Sequence, residues 1–372
     1  MARIWNKYKQ SNTHLKRKVF VAMSGGVDSS VAAALLQRDG YDVYGVFMQG
    51  WSNPHFNCEW ERDRRDAARV TAVLGIPFRV LDFSREYYER VVSYLVEEYK
   101  AGRTPNPDVM CNKEIKFGLF FDWAIAEGAD YVATGHYASI ENQFSISNFQ
   151  FPKLKIAKDL NKDQTYFLWT LTKRHLERTL FPIGDYTKPE VREIARSFGL
   201  PTASKKDSQG ICFVGDGSIA DFLRDRIATT RGIVKTASGK IVGEHDGVEL
   251  FTIGQRHGIG VRGGAGPYYV AEKNSSTGTL LVAENEHDPA LYKKEIPYRD
   301  ANWLVFDVKH QMFDMPFECE ARIRYRQPLA KCTVYEDRVI FDVPQRAVAP
   351  GQSIVFYSDG ALVGGGIIEQ EQ

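Results

Sequence analysis

One cysteine of this chain stands in a loop whose neighbours suit a reactive thiol. Cys111 ends the segment TPNPDVMC, in which Asp108 lies three residues before it, and Lys113 follows two residues later. The pattern predicts a helix over residues 113–127, and a thiol at a helix N-terminus beside a cation has a lowered pKa. Asp108 is then a candidate general acid or base. The alternative is a small buried cysteine without reactivity.

A second cysteine lies in a comparable setting. Cys212 follows the turn sequence SQG and, further upstream, a pair of lysines, so it is a second candidate for sulfur chemistry. Cys58, Cys319 and Cys332 lack such neighbours. Cys319 and Cys332 fall in predicted strands, where we expect them to fill core positions or to face each other across a hairpin.

A third candidate site lies between a predicted strand, 18–22, and a predicted helix, 29–38. The intervening sequence SGGVDSS, residues 24–30, places two glycines and three serine hydroxyls before and at the start of the helix. Glycines let the backbone approach an anion, and the first amides of a helix attract one. No Gly-Lys-Ser/Thr follows, so the loop is not of the Walker type and suits a pyrophosphate group instead. Asp28 is expected to cap the helix or to lie near a Mg²⁺ ion that the phosphates hold.

The composition is that of an ordinary globular protein and excludes several classes. The chain has 372 residues, 43% of them hydrophobic and 26% charged, with a formal net charge of +1. That length predicts two or three domains, and no apolar stretch is long enough to span a bilayer. Five cysteines without a CxxC pair argue against a disulfide-stapled secreted framework and against a zinc ribbon. The near-zero charge gives no sign of a nucleic-acid partner.

The reactive residues need a scaffold, and the hydrophobic pattern predicts an α/β chain. Strands alternate with helices up to about residue 213, which indicates crossover connections and a doubly wound parallel sheet of Rossmann-like type. Beyond that point glycines cluster and short strands replace helices, which favours a small β-rich central domain and then a C-terminal β-barrel domain. The predicted boundaries are 1–17 for a basic N-terminal extension, 18–215 for the catalytic domain, 216–290 for the central domain and 291–372 for the barrel.

Periodicity and turn residues also assign individual elements. In the second half, Arg322, Arg324 and Arg326 alternate along one predicted strand, so their side chains would share a face toward solvent or RNA. In the first domain we expect strands over 18–22, 43–47, 78–81 and 131–134, and helices over 29–38, 59–74, 84–100, 113–127 and 188–198. Later strands are expected over 231–235, 240–244, 268–272, 279–283, 302–306, 317–325, 331–335, 339–343, 353–357 and 361–368.

Seven sequence blocks occur in an order that resembles one family. They are SGGVDSS, TPNPDVMCNKEIKFG, ATGHYA, KDQTYFL, DSQGICF, FTIGQRHG and RYRQ. SGGVDSS resembles the pyrophosphate-binding loop (PP-loop) of the N-type ATP pyrophosphatases, which cleave ATP to AMP and pyrophosphate. The whole set resembles the tRNA-specific 2-thiouridylase family, bacterial and mitochondrial, from about residue 18 to the C-terminus.

The resemblance implies an ATP-dependent tRNA sulfurtransferase. Such an enzyme adenylates the C2 oxygen of the wobble uridine in the tRNAs for lysine, glutamate and glutamine. It then replaces that oxygen with sulfur, which yields 2-thiouridine, AMP and pyrophosphate. ATP and Mg²⁺ are the implied cofactors, with no metal ligand from protein side chains unless Asp28 is one. The residues implied for ATP are Ala22, Met23, Ser24, Gly25, Gly26, Val27, Asp28, Ser29, Met48 and Gly135.

The resemblance also assigns a sulfur site and a tRNA site. Cys212 matches a persulfide-carrying cysteine and Cys111 the cysteine that attacks it, which implies a transient Cys111–Cys212 disulfide. Asp108 matches an acid/base group. The target uridine belongs to an anticodon loop, whose bases can be splayed out and flipped into a site. Implied contacts are Asn106, Pro107 and Asp108 to the target base, and His136, Lys162, Asp163, Gln164, Arg324, Tyr325 and Gln352 to the tRNA.

Partners and location follow from the same resemblance. The sulfur would arrive as a persulfide from a donor protein, either a sulfur-relay protein or a cysteine desulfurase. A cytoplasmic location without membrane contact is expected. The basic residues before residue 18 leave open an organellar transit peptide, and with it a mitochondrial location.

Two other functions compete with thiolation. Another PP-loop enzyme, such as an amidating synthetase or tRNA lysidine synthetase, would not explain the two cysteine blocks. A catalytically inactive tRNA-binding module would be expected to lack Asp28, Cys111 or Cys212, and all three are present. Thiolases that use an iron–sulfur cluster need cysteine spacings that are absent here.

Overall fold

The structure is a computed structural model that describes residues 16–53, 60–142, 152–207, 214, 217–261, 266–304 and 315–370. Most of the predicted basic extension, together with Cys58 and Cys212, lies outside these residues. Within them, no helix is both long enough and apolar enough to cross a membrane.

The strands and helices are numbered in chain order. The strands are β1 (Lys18–Ala22), β2 (Asp42–Gln49), β3 (Phe78–Asp82), β4 (Tyr131–Ala133), β5 (Ser139–Asn142), β6 (Pro152–Lys155), β7 (Thr179–Leu180), β8 (Gly232–Thr236), β9 (Ile241–His245), β10 (Tyr269–Asn274), β11 (Thr279–Ala283), β12 (Tyr292–Trp303), β13 (Phe317–Arg322), β14 (Ala330–Val334), β15 (Arg338–Arg346), β16 (Ser353–Ser358) and β17 (Ala361–Ile368). The α-helices are α1 (Val27–Arg38), α2 (Trp60–Leu74), α3 (Ser84–Tyr87), α4 (Ser93–Lys100), α5 (Pro107–Met110), α6 (Phe121–Ala126), α7 (Lys173–Glu177), α8 (Lys188–Ser197) and α9 (Ile219–Arg224). Two π-helical segments, Tyr88–Val92 and Cys111–Phe120, join α3 to α4 and α5 to α6.

The first sheet has the order β3-β2-β1-β4-β7, and all its neighbouring strands are parallel. Val19, Phe20 and Val21 of its central strand have no exposed surface, because helices cover both faces. Val19 and Val21 pack with α1 on one face, while Phe20 packs with Phe120 and Phe121 on the other. The predicted doubly wound parallel sheet is confirmed, whereas the two-residue edge strand β7 was not predicted.

The helix that carries Cys111 begins earlier than predicted. Asn106 caps it: Oδ1 of Asn106 accepts hydrogen bonds from the backbone N–H groups of Asp108 at 3.1 Å and Val109 at 3.3 Å. Pro107, whose ring suits a first helical turn, opens α5. The π-helical segment and α6 follow without a break. The predicted start at residue 113 is therefore wrong, and Cys111 lies inside the helix.

The central sheet has the order β10-β11-β8-β9 and shares a core with the first domain. Val234, Val270 and Leu280 of this sheet are fully buried, in one hydrophobic cluster with Leu95 and Tyr99 of α4. The predicted β-rich central unit is confirmed, and its apolar face is covered by the helix that precedes the TPNPDVMC loop.

The C-terminal strands close into a barrel. Six strands follow the order β12-β15-β14-β13-β16-β17, and the ring closes because β17 also pairs with β12. Ile296, Phe341 and Phe356 have no exposed surface in its interior. The hairpin β5–β6 of the first domain extends the same sheet, since β6 pairs with β17. The barrel was predicted, but this strand pairing across domains was not.

Two strand predictions in this region are wrong. The strand expected over 302–306 begins ten residues earlier, as β12, which ends at Trp303; residues 305 and 306 lie outside the described part of the chain. The strand expected over 317–325 is β13, which ends at Arg322, and a turn follows. Arg324 and Arg326 therefore do not share a strand face with Arg322. A left-handed backbone at Arg326, with φ of 64°, belongs to that turn.

Candidate active site

The SGGVDSS loop leads from β1 into α1 in a conformation that only glycine allows. Gly25 has a positive φ of 73°, and a Cβ there would lie 2.2 Å from the backbone oxygen of Asp63. The loop also bonds to itself, because Oγ of Ser30 donates to the carbonyl of Gly26 at 2.7 Å. The arrangement presents the N-terminus of a twelve-residue helix, which suits a phosphate group.

Asp28 does not cap α1, which was one of the two roles expected for it. Gly26 is the N-cap residue. Both carboxylate oxygens of Asp28 accept hydrogen bonds from Nζ of Lys188 at 2.8 Å, and Oδ1 accepts another from the hydroxyl of Tyr137 at 2.9 Å. Asp28 would have to exchange Lys188 before it could approach a Mg²⁺ ion. In the described ranges, no cluster of three or more His, Cys, Asp or Glu side chains could hold a metal.

Lys188 joins the PP-loop to a network of ion pairs. Its Nζ also lies 2.8 Å from Oδ1 of Asp207, which pairs with Lys162 at 2.6 Å and with Arg192 at 2.9 Å. Burial raises the pKa of Asp207, but hydrogen bonds from Lys162 and Lys188 outweigh burial and lower it to about 2. The network connects the PP-loop to Asp207, which precedes Cys212 by five positions in the sequence.

A second lysine holds the loop from another direction. Nζ of Lys205 donates to the carbonyl of Gly25 at 3.1 Å and pairs with Asp63 at 2.7 Å and Asp66 at 2.5 Å. Its side chain is only 12% exposed. Together with Lys188, it brings positive charge to the loop from distant parts of the chain.

The two predicted ATP residues outside the loop lie beside it. Met48 is the next-to-last residue of β2. Gly135 follows β4, and a Cβ there would lie 2.5 Å from the backbone nitrogen of Ser29, so its backbone packs directly on the first turn of α1. All the predicted ATP residues therefore surround the carboxyl ends of β1, β2 and β4, where doubly wound sheets bind ligands.

The thiol of Cys111 is half-buried, and its environment disfavours the thiolate. Burial raises the pKa of Cys111; the ammonium of Lys116 lowers it, the carboxylate of Asp108 raises it and a hydrogen bond with Tyr87 lowers it. The prediction that a helix start and Lys113 would lower this pKa is wrong. The helix begins before Cys111, and the side chain of Lys113 is 52% exposed.

Asp108 lies in a crowded but accessible position. The side chain is exposed on one side, while protein atoms surround it on the others, and this desolvation raises the pKa of its carboxyl group. Lys116 opposes that effect. A carboxyl group with a raised pKa exchanges its proton nearer to neutral pH, which suits general acid/base chemistry.

Lys116 faces this pair of groups and was missing from the predicted site. Nζ of Lys116 lies 3.5 Å from Nε2 of His136, whose Nδ1 lies 2.8 Å from Oγ1 of Thr134. Burial, with Lys116 beside the ring, holds the pKa of His136 well below its usual value, so the ring is neutral. These partners assign the tautomer: Nδ1–H donates to Thr134, and Nε2 accepts from Lys116.

The helix register explains why the sequence did not reveal Lys116. In an α-helix of 3.6 residues per turn, a residue five positions after Cys111 lies about 140° away around the axis. In the segment Cys111–Phe120, hydrogen bonds join residue i to residue i+5. Lys116 therefore lies about one turn after Cys111, on the same side of the helix. The lysine of CNKEIKFG is visible in the sequence, but only the π-helical register relates it to the thiol.

Residues 162–164, predicted for tRNA, all have partners within the protein. Asp163 is 1% exposed, and its carboxylate lies 3.2 Å from the guanidinium of Arg322. Oε1 of Gln164 accepts from the backbone N–H of Tyr137 at 3.0 Å, and Lys162 pairs with Asp207 as described above. A direct contact from the Asp163 side chain to RNA would require this buried ion pair to open.

Gln352, Arg324 and Tyr325, which were also predicted for tRNA, lie where the three domains meet. Nε2 of Gln352 donates to the carbonyls of Thr104 at 2.8 Å and Pro105 at 3.2 Å, just before the predicted target-base residues. One guanidinium nitrogen of Arg324 donates to the carbonyls of Ile253 at 2.7 Å and Ala347 at 2.9 Å. The barrel thus holds both the loop before α5 and the central domain. The ring of Tyr325 packs against that of Phe167, with 4.6 Å between their centroids.

Cys319 and Cys332 are directly opposite each other on β13 and β14. Their sulfur atoms lie 3.7 Å apart as free thiols. Both arrangements expected for them are observed, because they face each other across the hairpin and pack in or against the barrel core. Cys332 is also 3% exposed and belongs to the core of the barrel.

Cys212 and Cys58 lie outside the described residues, but a near neighbour of Cys212 is placed. Val214, two positions later, is 4% exposed and belongs to a hydrophobic cluster that also contains Tyr87. Cys111 packs against the same cluster. Val214 and Cys111 therefore contact one hydrophobic cluster, which also extends through the central domain.

Comparison with known proteins gives matches over most of the chain. Residues 17–216 match the family described as tRNA methyl transferase HUP domain, 220–284 the tRNA methyl transferase PRC-barrel domain and 293–368 the aminomethyltransferase beta-barrel domain. The chain is 46% identical over 359 residues to tRNA-specific 2-thiouridylase MnmA of Halalkalibacterium halodurans, covering 95% of this chain and 94% of the relative. It is also 46% identical over 360 residues to tRNA-specific 2-thiouridylase MnmA 2 of Geobacillus kaustophilus, covering 95% of both chains.

Proposed function

Because the chain belongs to the tRNA-specific 2-thiouridylase family, we propose that it replaces the C2 oxygen of a tRNA uridine with sulfur and cleaves ATP in doing so. The observation that carries this proposal is the short segment after β4, which contacts both candidate sites. Gly135 packs on the first turn of α1, next to the PP-loop, and His136 lies beside Lys116 on the helix of Cys111. One bound base can therefore meet both the activating and the sulfur-bearing groups.

The first step would activate the base. An oxygen at C2 of uracil is a poor leaving group, and transfer of AMP onto it provides a good one. The PP-loop and the N-terminus of α1 would hold the pyrophosphate that leaves, with Lys188 and Lys205 supplying positive charge. Mg²⁺ would arrive with the phosphates, and the oxygens of Asp28 could join it only after Lys188 moves onto a phosphate.

The second step would move the sulfur. A persulfide on Cys212 attacks C2 through its terminal sulfur, and AMP leaves with the C2 oxygen. The thiolate of Cys111 then attacks the inner sulfur of Cys212. The bond between the two persulfide sulfurs breaks, its electron pair stays on the sulfur bonded to C2, and a Cys111–Cys212 disulfide forms. Asp108 accepts the proton of the Cys111 thiol, and a thiol reductant must reopen the disulfide before the next cycle.

The position of Val214 supports this pairing of cysteines. Cys212 precedes Val214 by two positions, which limits their Cα separation to about 7.6 Å. Val214 and Cys111 meet the same hydrophobic cluster. A disulfide needs Cα atoms about 4.4–6.8 Å apart, so the proposal requires Cys212 to come that close to Cys111 during the reaction. The persulfide itself would come from a cysteine desulfurase or a sulfur-relay protein.

The tRNA would bind through local contacts, since the net charge of the chain is only +1. We propose that Asn106, Pro107 and Asp108 meet the wobble uridine of the tRNAs for lysine, glutamate and glutamine. The predicted tRNA side chains, including Lys162 and Gln352, would then exchange some of their present partners for the RNA.

One assay tests the proposal directly. Purified protein is incubated with unmodified tRNA, Mg-ATP and a sulfane-sulfur donor, and the nucleosides of the tRNA are analysed by mass spectrometry. We expect a uridine that has gained sulfur in place of oxygen, together with AMP and pyrophosphate. The Cys212→Ser variant should form no thiouridine, whereas Cys319→Ser, a substitution in the barrel, should leave the yield unchanged.

The same assay separates the competing functions. Formation of ADP would argue against a PP-loop pyrophosphatase. A mass gain equal to a methyl group would point to the methyl transfer that the matched family descriptions mention. A lysine or ammonia adduct would indicate a lysidine synthetase or an amidating synthetase. If Cys212→Ser made as much thiouridine as the wild type, the persulfide role of Cys212 would be wrong.

A further inference from the structure

The side chain of Lys116 has an unusual set of neighbours for a lysine. In the part of the chain that the structure describes, its Nζ has no carboxylate within ion-pair distance, and its one hydrogen-bond partner is Nε2 of His136 at 3.5 Å. That partner is a neutral ring held from behind by Thr134. The ammonium is therefore half-buried, keeps two N–H groups free and is anchored from one side only.

Two of the groups on which the charge of Lys116 acts are the ones that would exchange a proton. Its charge acts on Cys111, on Asp108 and on His136, and the π-helical register places it on the same helix face as the thiol. When a proton moves from the thiol of Cys111 to the carboxylate of Asp108, an S–H bond breaks and an O–H bond forms. One negative charge is present before and after, so one fixed cation can balance both states.

We propose that Lys116 is a positioning residue that acts through its charge, keeping the thiolate of Cys111 accessible in a site that otherwise disfavours it. His136 holds the ammonium in place for this role. The inference rests on the proposed function only in the use that is made of the thiolate. The effect of Lys116 on the thiol does not depend on whether tRNA is bound. The sequence suggested that Lys113 stabilises the Cys111 thiolate. The proposal assigns that effect to Lys116.

The other groups around Cys111 must be considered in a test of its titration. Asp108 on the same helix opposes the thiolate, while Tyr87, on the helix packed against it, forms a hydrogen bond with the sulfur. Arg90 and Glu114 pair with each other at 3.5 Å across the same helix contact. The substitutions leave all these groups in the chain, and Lys116→Arg, which keeps the charge, separates the effect of the lysine charge from changes in packing.

The test is the pH dependence of alkylation of Cys111 by iodoacetamide, followed on the peptide that carries Cys111. It uses the whole protein without tRNA or ATP, so a failure of the proposed function would not affect it. We expect Lys116→Met and Lys116→Gln to move the midpoint of alkylation upward by about one pH unit, because a neighbouring opposite charge shifts a pKa by about that much. Lys116→Arg should stay near the wild type. Lys113→Met is the matched control, and we expect no shift from it.

Two results would overturn the proposal. One is the same midpoint in Lys116→Met, Lys116→Gln and the wild type. The other is an upward shift in Lys116→Arg as large as that in Lys116→Met, which would indicate altered packing rather than lost charge. Circular dichroism checks the fold of each variant. If Lys116→Met does not fold, the comparison of Lys116→Gln with Lys116→Arg gives the same answer.

Discussion

The PP-loop side and the cysteine side of the site handle charge in opposite ways. At the PP-loop, Asp28 and Asp207 share the ammonium of Lys188, and each also accepts other hydrogen bonds. On the cysteine side, Lys116 acts on Cys111 and, in the described residues, has no carboxylate within ion-pair distance; its hydrogen-bond partner is His136. One side is rich in paired charges, and the other is largely desolvated.

The contrast suits the two kinds of chemistry. The pKa of Asp207 is lowered to about 2, so this carboxylate stays ionised and holds its cations for exchange with phosphates. The pKa of Asp108 is raised, so its neutral and charged forms are closer in free energy at neutral pH, whereas the raised pKa of Cys111 keeps its thiol protonated until a base removes the proton. A site for a polyanion benefits from the first arrangement, and a site for proton transfer benefits from the second.

The strongest way to break the PP-loop side is Gly25→Ala. A Cβ there would lie 2.2 Å from the backbone oxygen of Asp63, and the φ of 73° is unfavourable for alanine. We expect tRNA-dependent pyrophosphate release to be lost and the free energy of unfolding to fall by about 2–4 kcal/mol. Pyrophosphate release and urea denaturation measure the two effects.

Gly40→Ala is the matched control for that substitution. Gly40 has a φ of 91°, but a Cβ there would meet nothing within 4 Å. Only backbone strain should remain, about 1 kcal/mol, with pyrophosphate release intact. Equal losses in the two variants would show that the contact with Asp63 has no special importance for the loop.

The contrast between the two sides also explains what the sequence could predict. The PP-loop lies between a strand and a helix whose apolar residues, such as Val21 and Val31, are fully buried. Its position could be predicted because strand, loop and helix are local in the sequence. The parallel sheet and the barrel followed from the same kind of periodicity.

The cysteine side depends on features that periodicity does not contain. The helix start at Asn106 and the π-helical register around Cys111 changed both the expected pKa and its source, from Lys113 to Lys116. The partner of Asp28 was also hidden, since Lys188 is 160 positions away along the chain. Such features are set by how distant elements of one domain pack and by local helix register, and a single sequence carries no direct sign of them.

Gln352→Ala tests how the barrel supports the cysteine side. The substitution removes two hydrogen bonds to the carbonyls of Thr104 and Pro105, next to the target-base residues. A typical hydrogen bond contributes about 0.5–1.5 kcal/mol, so we expect thiolation at saturating tRNA to slow by about tenfold. Single-turnover thiolation with excess enzyme measures this rate.

Gln37→Ala removes a similar bond far from the site, from Nε2 of Gln37 to the carbonyl of Leu74, and should leave thiolation unchanged. If Gln352 served only to bind tRNA, its loss would weaken tRNA affinity without slowing the reaction at saturation. That outcome would contradict a role for Gln352 in holding the loop before Asn106.

The smallest expected effects concern the free energy of unfolding. The contributions of Asp207 and Asp108 to it change with pH in opposite directions. The folded pKa of Asp207 is about 2, below its ordinary value of 3.8, so its contribution is present above about pH 4 and is lost as the pH falls toward 2. With 28% of its side chain exposed, that contribution is about 1–2 kcal/mol. The folded pKa of Asp108 is raised, so its contribution is instead lost as the pH rises through the ordinary range of a carboxyl group.

Urea denaturation from acidic to neutral pH measures how the free energy of unfolding changes with pH, and so tests both expectations. Asp207→Asn should be less stable than the wild type at neutral pH and should lose less stability on acidification. Asp108→Asn should be the more stable variant at neutral pH, because it removes a carboxylate that folding desolvates. Asp246→Asn, at a side chain that is 61% exposed, is the control and should follow the wild type. If both variants were destabilised with the same pH dependence, the two sides would not differ in how they treat charge, and Lys116 would balance Asp108 as fully as Lys188 and its neighbours balance Asp207.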